Sequence, residues 1–243
     1  MKSDPSKKII IIGATSGIGK ALAELYVQKG NYVGITGRRF NLLQSLRQQY
    51  PEQILTECFD VRGDQNIHHL NSLIEQLGGL DLLIYNAGYG EVSKTLNWEI
   101  EKATYETNVR GFIEIINYSF NYFVQQGNGH IAATSSIAAI RGNSWAPAYS
   151  ASKSFMSNYM EGLYMKAKRM RLPIYVTDIQ PGFVKTKLAK GNPQFWIAQT
   201  DKAVMQIAKA IEKKKWRVYI TKRWWLIAQV MKLAPGWLYH KFG

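Results

Sequence analysis

Tyr149 and Lys153 stand four residues apart in a stretch with helical periodicity, so their side chains share one face. A free phenol has a pKa of about 10 and is a poor acid or base at neutral pH. A nearby ammonium favours the phenolate and lowers that value, which makes a tyrosine usable as a proton donor and acceptor. Ser135 and Ser136 follow the apolar run Gly129–Thr134 just upstream. A hydroxyl there can hold a carbonyl beside the phenol, because a strand end and the start of the next helix meet at one edge of a sheet. Tyr-x3-Lys alone is also the spacing of an ordinary surface pair, so the surrounding elements decide what it means.

Short apolar runs alternate with amphipathic ones along the chain. Strands are predicted at Lys7–Ile12, Tyr32–Thr36, Gln53–Phe59, Leu80–Tyr85, Gly129–Thr134, Ile174–Gln180 and Trp216–Ile220. Helices are predicted at Gly17–Lys29, Phe40–Tyr50, Asp64–Leu77, a long stretch over Trp98–Gln126, Ala148–Arg171 and Asp201–Lys214. Seven strands alternating with six helical segments imply an α/β fold, a doubly wound Rossmann architecture whose seven-stranded parallel sheet carries helices on both faces. Its ligand crevice belongs at the carboxyl ends of the strands. Residues 1–221 are expected to form one dinucleotide-binding domain with a built-in catalytic site, and 222–243 a basic, Trp-rich helical tail.

The first strand runs into Gly13-Ala14-Thr15-Ser16-Gly17-Ile18-Gly19, and a helix follows. Glycines permit a tight turn and close approach of backbone N–H groups to a pyrophosphate, and the helix N-terminus adds partial positive charge. A glycine trio can also be a plain tight turn; its place between first strand and first helix favours a nucleotide. After the second strand, Arg38 and Arg39 stand where an acid would bind a ribose 2′-hydroxyl. Arginine there suits a 2′-phosphate, so NADPH is expected rather than NADH. Asp60-Val61, after the third strand, is placed to meet the adenine.

With these residues in order, the chain resembles a short-chain dehydrogenase/reductase of the compact, single-domain type. The resemblance is carried by Gly13-x3-Gly17-x-Gly19, Asp60, Asn86-Ala87-Gly88, Asn108, Ser136, Tyr149-x3-Lys153 and Pro181-Gly182 with Thr186, over residues 7 to about 220. It implies a carbonyl–alcohol oxidoreductase. Tyr149 then exchanges the proton, Lys153 lowers the tyrosine pKa and bonds the nicotinamide ribose, and Ser136 rather than Ser135 orients the carbonyl, because the family spacing selects it. Asn108 supports a water-linked proton relay, Asn86-Ala87-Gly88 steadies the sheet beside the cofactor, and Pro181, Gly182, Val184 and Thr186 meet the nicotinamide end. With Thr15, Ser16 and Ile18 of the glycine loop, these complete the expected cofactor set. Two positions depart from the family pattern: Ile12 precedes the first glycine where Thr is frequent, and Ser16 stands where many NADP-preferring members have Lys or Arg. Cofactor preference is therefore expected to rest mainly on Arg38.

Loops after the fourth, fifth and sixth strands supply Tyr89, Ile140, Trp145, Phe183, Leu188, Phe195 and Trp196, which predicts an apolar substrate pocket. About half of these side chains are expected to pack on the core instead. Arg141, Lys185, Lys187 and Lys190 are the cations near it. The lone cysteine, Cys58, is read as a small buried strand residue. The histidines show no metal-ligand spacing, so no metal is expected. The N-terminal apolar run is too short for a signal-peptide core of about 7–15 residues, and the chain is expected in the cytoplasm.

The net charge is +14, and residues 213–243 hold eight basic residues and no acidic one. As a helix, Lys222–Leu233 keeps Lys222, Gln229 and Lys232 in one arc and leaves a wide apolar face. The tail could cover the pocket or a dimer surface, lie peripherally on the inner face of a membrane, or bind nucleic acid; the last is not expected. If it meets a membrane, a lipid-derived ketone or aldehyde is the natural substrate. The leading function is reduction of a hydrophobic carbonyl compound. The alternatives are an NADP(H)-binding regulator and a membrane-peripheral scaffold, each without significant turnover. A homodimer or homotetramer is expected, and the apolar set Phe112, Ile115, Ile116 and Phe120 could serve either that contact or the core.

Overall fold

The computed structural model describes residues 6–186 and 196–240. Seven strands form one parallel sheet: β1 (Lys8–Ile12), β2 (Tyr32–Gly37), β3 (Ile54–Cys58), β4 (Leu82–Tyr85), β5 (Gly129–Thr134), β6 (Ile174–Pro181) and β7 (Arg217–Ile220). Their order is β3-β2-β1-β4-β5-β6-β7, so the winding direction reverses between β1 and β4.

The helices are α1 (Gly17–Gln28), α2 (Phe40–Gln49), α3 (Asn66–Leu77), α4 (Trp98–Tyr105), α5 (Gly111–Gln126), α6 (Pro147–Met170), α7 (Thr200–Glu212), α8 (Trp224–Leu233) and α9 (Gly236–Tyr239). The run of four isoleucines in β1 shows how both faces are filled. Ile9 and Ile11 pack with Leu22 of α1, Leu43 of α2 and Ile207 of α7. Ile10 and Ile12, on the opposite face by strand alternation, pack with Leu73 of α3, Phe112 of α5 and Met156 of α6.

The predicted elements are found with end shifts of one or two residues. The long stretch over 98–126 is broken once: Glu106–Arg110 forms a π-helical turn between α4 and α5. Two open readings are decided by burial. Phe112, Ile115, Ile116 and Phe120 are all buried and belong to the core, so that face is not a free subunit contact. Cys58 is exposed, against the reading of a buried thiol. It ends β3, the edge strand, where the sheet has no neighbour on one side.

Candidate active site

Pro147 opens α6 at its first turn, where its missing N–H costs nothing and its fixed φ suits the helix. Tyr149 and Lys153 follow on one face, beside the end of β5. The Lys153 ammonium is buried; Nζ donates to the carbonyl of Thr134 at 3.0 Å and sits 5.8 Å from the centroid of the Tyr149 ring. The two serines are now distinct. Ser135 Oγ turns inward and donates to Asp178 and to the carbonyl of Ile179. Ser136 Oγ accepts the backbone N–H of Ala138 at 3.1 Å and is hydrogen-bonded to the Tyr149 phenol.

Electrostatics at this pair are dominated by desolvation. Burial pushes the Tyr149 phenol above its ordinary value, and the Ser136 hydrogen bond opposes that shift. Burial lowers Lys153 from the ordinary 10.5 to about 7, while the charge of Asp178 works in the other direction. Between those two pH values the unfolded chain holds a proton that folded Lys153 lacks. Stability is then expected to rise with pH across about 7 to 10.5, by up to about 1.4 kcal/mol per unit, with the full penalty present below 7. Lys153→Met should remove this penalty and flatten the dependence in urea unfolding followed at several pH values. An unchanged slope would mean that Lys153 stays protonated in the fold.

Asn108 lies in the π turn and is fully buried. Its Oδ1 accepts the Tyr89 N–H at 2.9 Å, and its Nδ2 donates to the Tyr89 carbonyl at 2.7 Å and to Ser152 Oγ at 2.9 Å. A π turn is a common way to re-aim one side chain within a helix at functional sites. Here it joins the long helix, the loop after β4 and α6.

The glycine loop fits a pyrophosphate by shape and charge. Gly13 has φ +85°, and a Cβ there would lie 2.7 Å from the backbone of Ala87. A Cβ on Gly19 would fall 2.1 Å from the Gly13 carbonyl oxygen. Only glycine leaves that space, and α1 has no acid in its first turn to repel an anion. Asn86 ties the sheet ends together, donating to the Gly13 carbonyl at 3.0 Å and accepting from Thr134 Oγ1 at 3.1 Å. The Gly88 backbone lies beside Lys153 Nζ. The methyl of Thr186, after β6, packs over Gly17.

The two arginines divide their partners in a way the sequence did not reveal. Arg39 Nη2 and Nε reach Thr15 Oγ1, and Nη2 also donates to Ser16 Oγ at 2.8 Å. Arg38 instead forms a 3.6 Å ion pair with Asp60. Asp60 also takes hydrogen bonds from Arg62 Nε at 3.0 Å and Nη2 at 2.7 Å. Partial burial would raise the Asp60 pKa, but the hydrogen bonds and charge of Arg62, with the charge of Arg38, hold it below the ordinary carboxylate value. Val61 is buried next to it. Arg62 carries no motif and was not anticipated; its place two residues past a strand-end acid was the available signal.

The expected pocket residues are spread around this edge. The Tyr89 hydroxyl donates to Glu91 at 3.0 Å, within range of the charges of Arg38 and Arg62, so its ring leans toward the arginine side. Ile140 is half-buried beyond the short 3-10 turn Ile137–Ala139, and Trp145 is exposed. Phe183 packs edge-on against Trp224 of α8, and Trp196 meets the same indole at 6.4 Å. Pro181 closes β6, and Gly182 lies directly under the Trp224 ring. Val184 bridges to Ala198. Phe195, Leu188, Lys187 and Lys190 lie outside the described residues. Gly90 had not been singled out as a contact: a Cβ there would be 2.2 Å from Tyr149 Cδ2, so the loop after β4 is the floor on which the phenol rests. No group of three or more His, Cys, Asp or Glu gathers among the described residues.

A family model described as short chain dehydrogenase matches residues 7–195. An uncharacterized oxidoreductase of Myxococcus xanthus is 34% identical over 210 residues, covering 83% of this chain and 82% of the relative. The NADP-dependent 3-hydroxy acid dehydrogenase YdfG of Salmonella typhi is 31% identical over 180 residues, 72% of each chain. Among solved structures, a 3-ketoacyl-(acyl-carrier-protein) reductase from Brucella melitensis superposes with a TM-score of 0.79 at 19% identity, covering 88% of this chain and 96% of that one. The chain therefore belongs to the short-chain dehydrogenase/reductase family and is an oxidoreductase.

Proposed function

We propose that this enzyme reduces a carbonyl to an alcohol with NADPH, on a hydrophobic, lipid-like substrate. The observation that carries the reading is the Tyr149 phenol held against Ser136 and rested on Gly90, with Lys153 behind it. A bound dihydronicotinamide supplies the hydride. Ser136 donates a hydrogen bond to the substrate oxygen and fixes its distance from Tyr149. Tyr149 Oη gives up its proton to that oxygen as negative charge builds there. The charge of Lys153 favours the resulting phenolate, and Asp178 favours the charged lysine against the cost of its burial. Asn108 steadies the floor of the site through both backbone bonds to Tyr89 and supports reprotonation of the phenol through water.

The paired guanidiniums of Arg38 and Arg39 support a cofactor carrying a 2′-phosphate, and a relative named as NADP-dependent is in keeping with that. Residues 1–221 would act as the catalytic unit, a homodimer or homotetramer in the cytoplasm. The test is NADPH and NADH oxidation against carbonyl compounds of graded chain length. Efficiency rising with chain length supports the apolar substrate; a flat series argues against it. Arg38→Ala and Arg39→Ala are each expected to raise KM for NADPH about tenfold or more, as loss of one charge-assisted hydrogen bond implies. KM for NADH should change little, and equal effects on both cofactors would overturn the NADPH preference.

A further inference from the structure

Helix α8 is apolar on both sides. Trp224, Ile227, Ala228 and Met231 recur at helical spacing and turn inward, with Trp224 and Ala228 fully buried. Trp225, Leu226, Val230 and Leu233 turn outward, each more than half exposed and Leu233 at 82%, and Trp237 of α9 adds another exposed indole. Outside the arc that holds Gln229 and Lys232, the apolar surface is wider than the inner contact alone requires, which favours a second contact on the outward side. Its inner side packs on β7 and on the loops of the catalytic edge. The Trp224 ring covers Gly182, Arg223 Nη2 donates to the Trp196 carbonyl at 3.0 Å, Arg141 donates to the Ala234 carbonyl, and Tyr239 Oη donates to the Gly142 carbonyl at 2.8 Å. The outward face therefore sits beside the mouth of the site.

The charge around it is of one sign. Residues 135–146, 182–200 and 213–243 contain no Asp or Glu, and among the described residues they contribute Arg141, Lys185, Lys222, Arg223 and Lys232 around this edge. A second copy docking face to face would bring two such cationic surfaces together. An anionic bilayer complements them instead, and Trp with Lys or Arg is the pairing that suits a membrane interface. No helix of the described residues is long and apolar enough to cross a membrane, so α8 would lie in the interface.

We infer that the outward face of α8 and α9 rests on an anionic lipid bilayer and holds the mouth of the catalytic site against it. The inference rests on the apolar-substrate reading for its purpose and on the exposed face and charge for its evidence. The test is co-sedimentation of the full chain with vesicles of phosphatidylcholine alone or mixed with phosphatidylglycerol, beside the variant Leu226→Glu/Val230→Glu/Leu233→Glu. The wild type is expected to pellet with the anionic vesicles, much less with the neutral ones, and to be released by high salt. The variant should bind roughly tenfold or more weakly, since three apolar contacts are lost to charges that the lipid repels. Its turnover of a short, water-soluble carbonyl compound should equal that of the wild type, which reports folding and the reductase reading independently of lipid. Wild type left in the supernatant with every vesicle, or equal pelleting of both proteins, overturns the inference. So does a dimer seen in ultracentrifugation that the variant loses without any vesicle binding, which would assign the face to a second copy.

Discussion

Tyr149→Phe is expected to lower kcat for carbonyl reduction by about 10²–10⁴-fold, the usual worth of a positioned proton donor. The substitution removes only Oη. The ring keeps its place on Gly90, and the glycine loop and arginines are untouched, so NADPH affinity measured by fluorescence titration should stay within a few-fold. The phenol is half of the Ser136 contact, and its loss leaves Ser136 free to hold substrate without any group to protonate it. KM is therefore expected to move little while kcat collapses, the pattern of an interaction made mainly in the transition state. A variant retaining kcat within a few-fold would assign the proton to another group and overturn the proposed mechanism.

Asp178→Ala is the substitution expected to cost most stability. Asp178 is fully buried in β6 and accepts from Ser135 Oγ, from Ser157 Oγ at 2.7 Å, from Gln180 Nε2 at 2.8 Å and from Arg217 Nε at 3.0 Å. Removing one partner of a buried pair leaves the other charge and its donors without acceptors, which costs about 3–5 kcal/mol. Arg217 keeps Glu161 at 3.1 Å, so part of its charge remains compensated. Asp178→Asn, which keeps the volume and one acceptor, should lie between. The same network anchors Ser135 at the turn into the Ser136 loop, so activity should fall with stability. Urea unfolding of the three proteins decides the matter; a loss below about 1 kcal/mol for the alanine variant would show that the network is dispensable.

The alternation of strand and helix, the glycine turn and the Tyr149–Lys153 pair were legible in the sequence. Each is a local pattern: strand period, helix period, backbone room at a turn, and a four-residue spacing that aligns two side chains. The order of motifs along the chain then identified the family. What the tertiary structure decided depends on which element covers which face. Residue type alone does not separate Ser135 from Ser136; the family spacing selects Ser136, and the fold supplies the physical reason, because Asp178 draws Ser135 inward and leaves Ser136 beside Tyr149. Cys58 reads as core because a small thiol in a strand is usually buried, yet it ends an edge strand and is exposed. The apolar set on α5 could have faced a partner or the sheet, and the sheet takes it. The basic C-terminal residues, contiguous in sequence, are split by the length of β7: Lys213–Lys215 precede the strand, and Lys222 and Arg223 follow at the catalytic edge. Periodicity reports that a face is apolar; it carries no information about the partner, because that contact joins residues far apart along the chain.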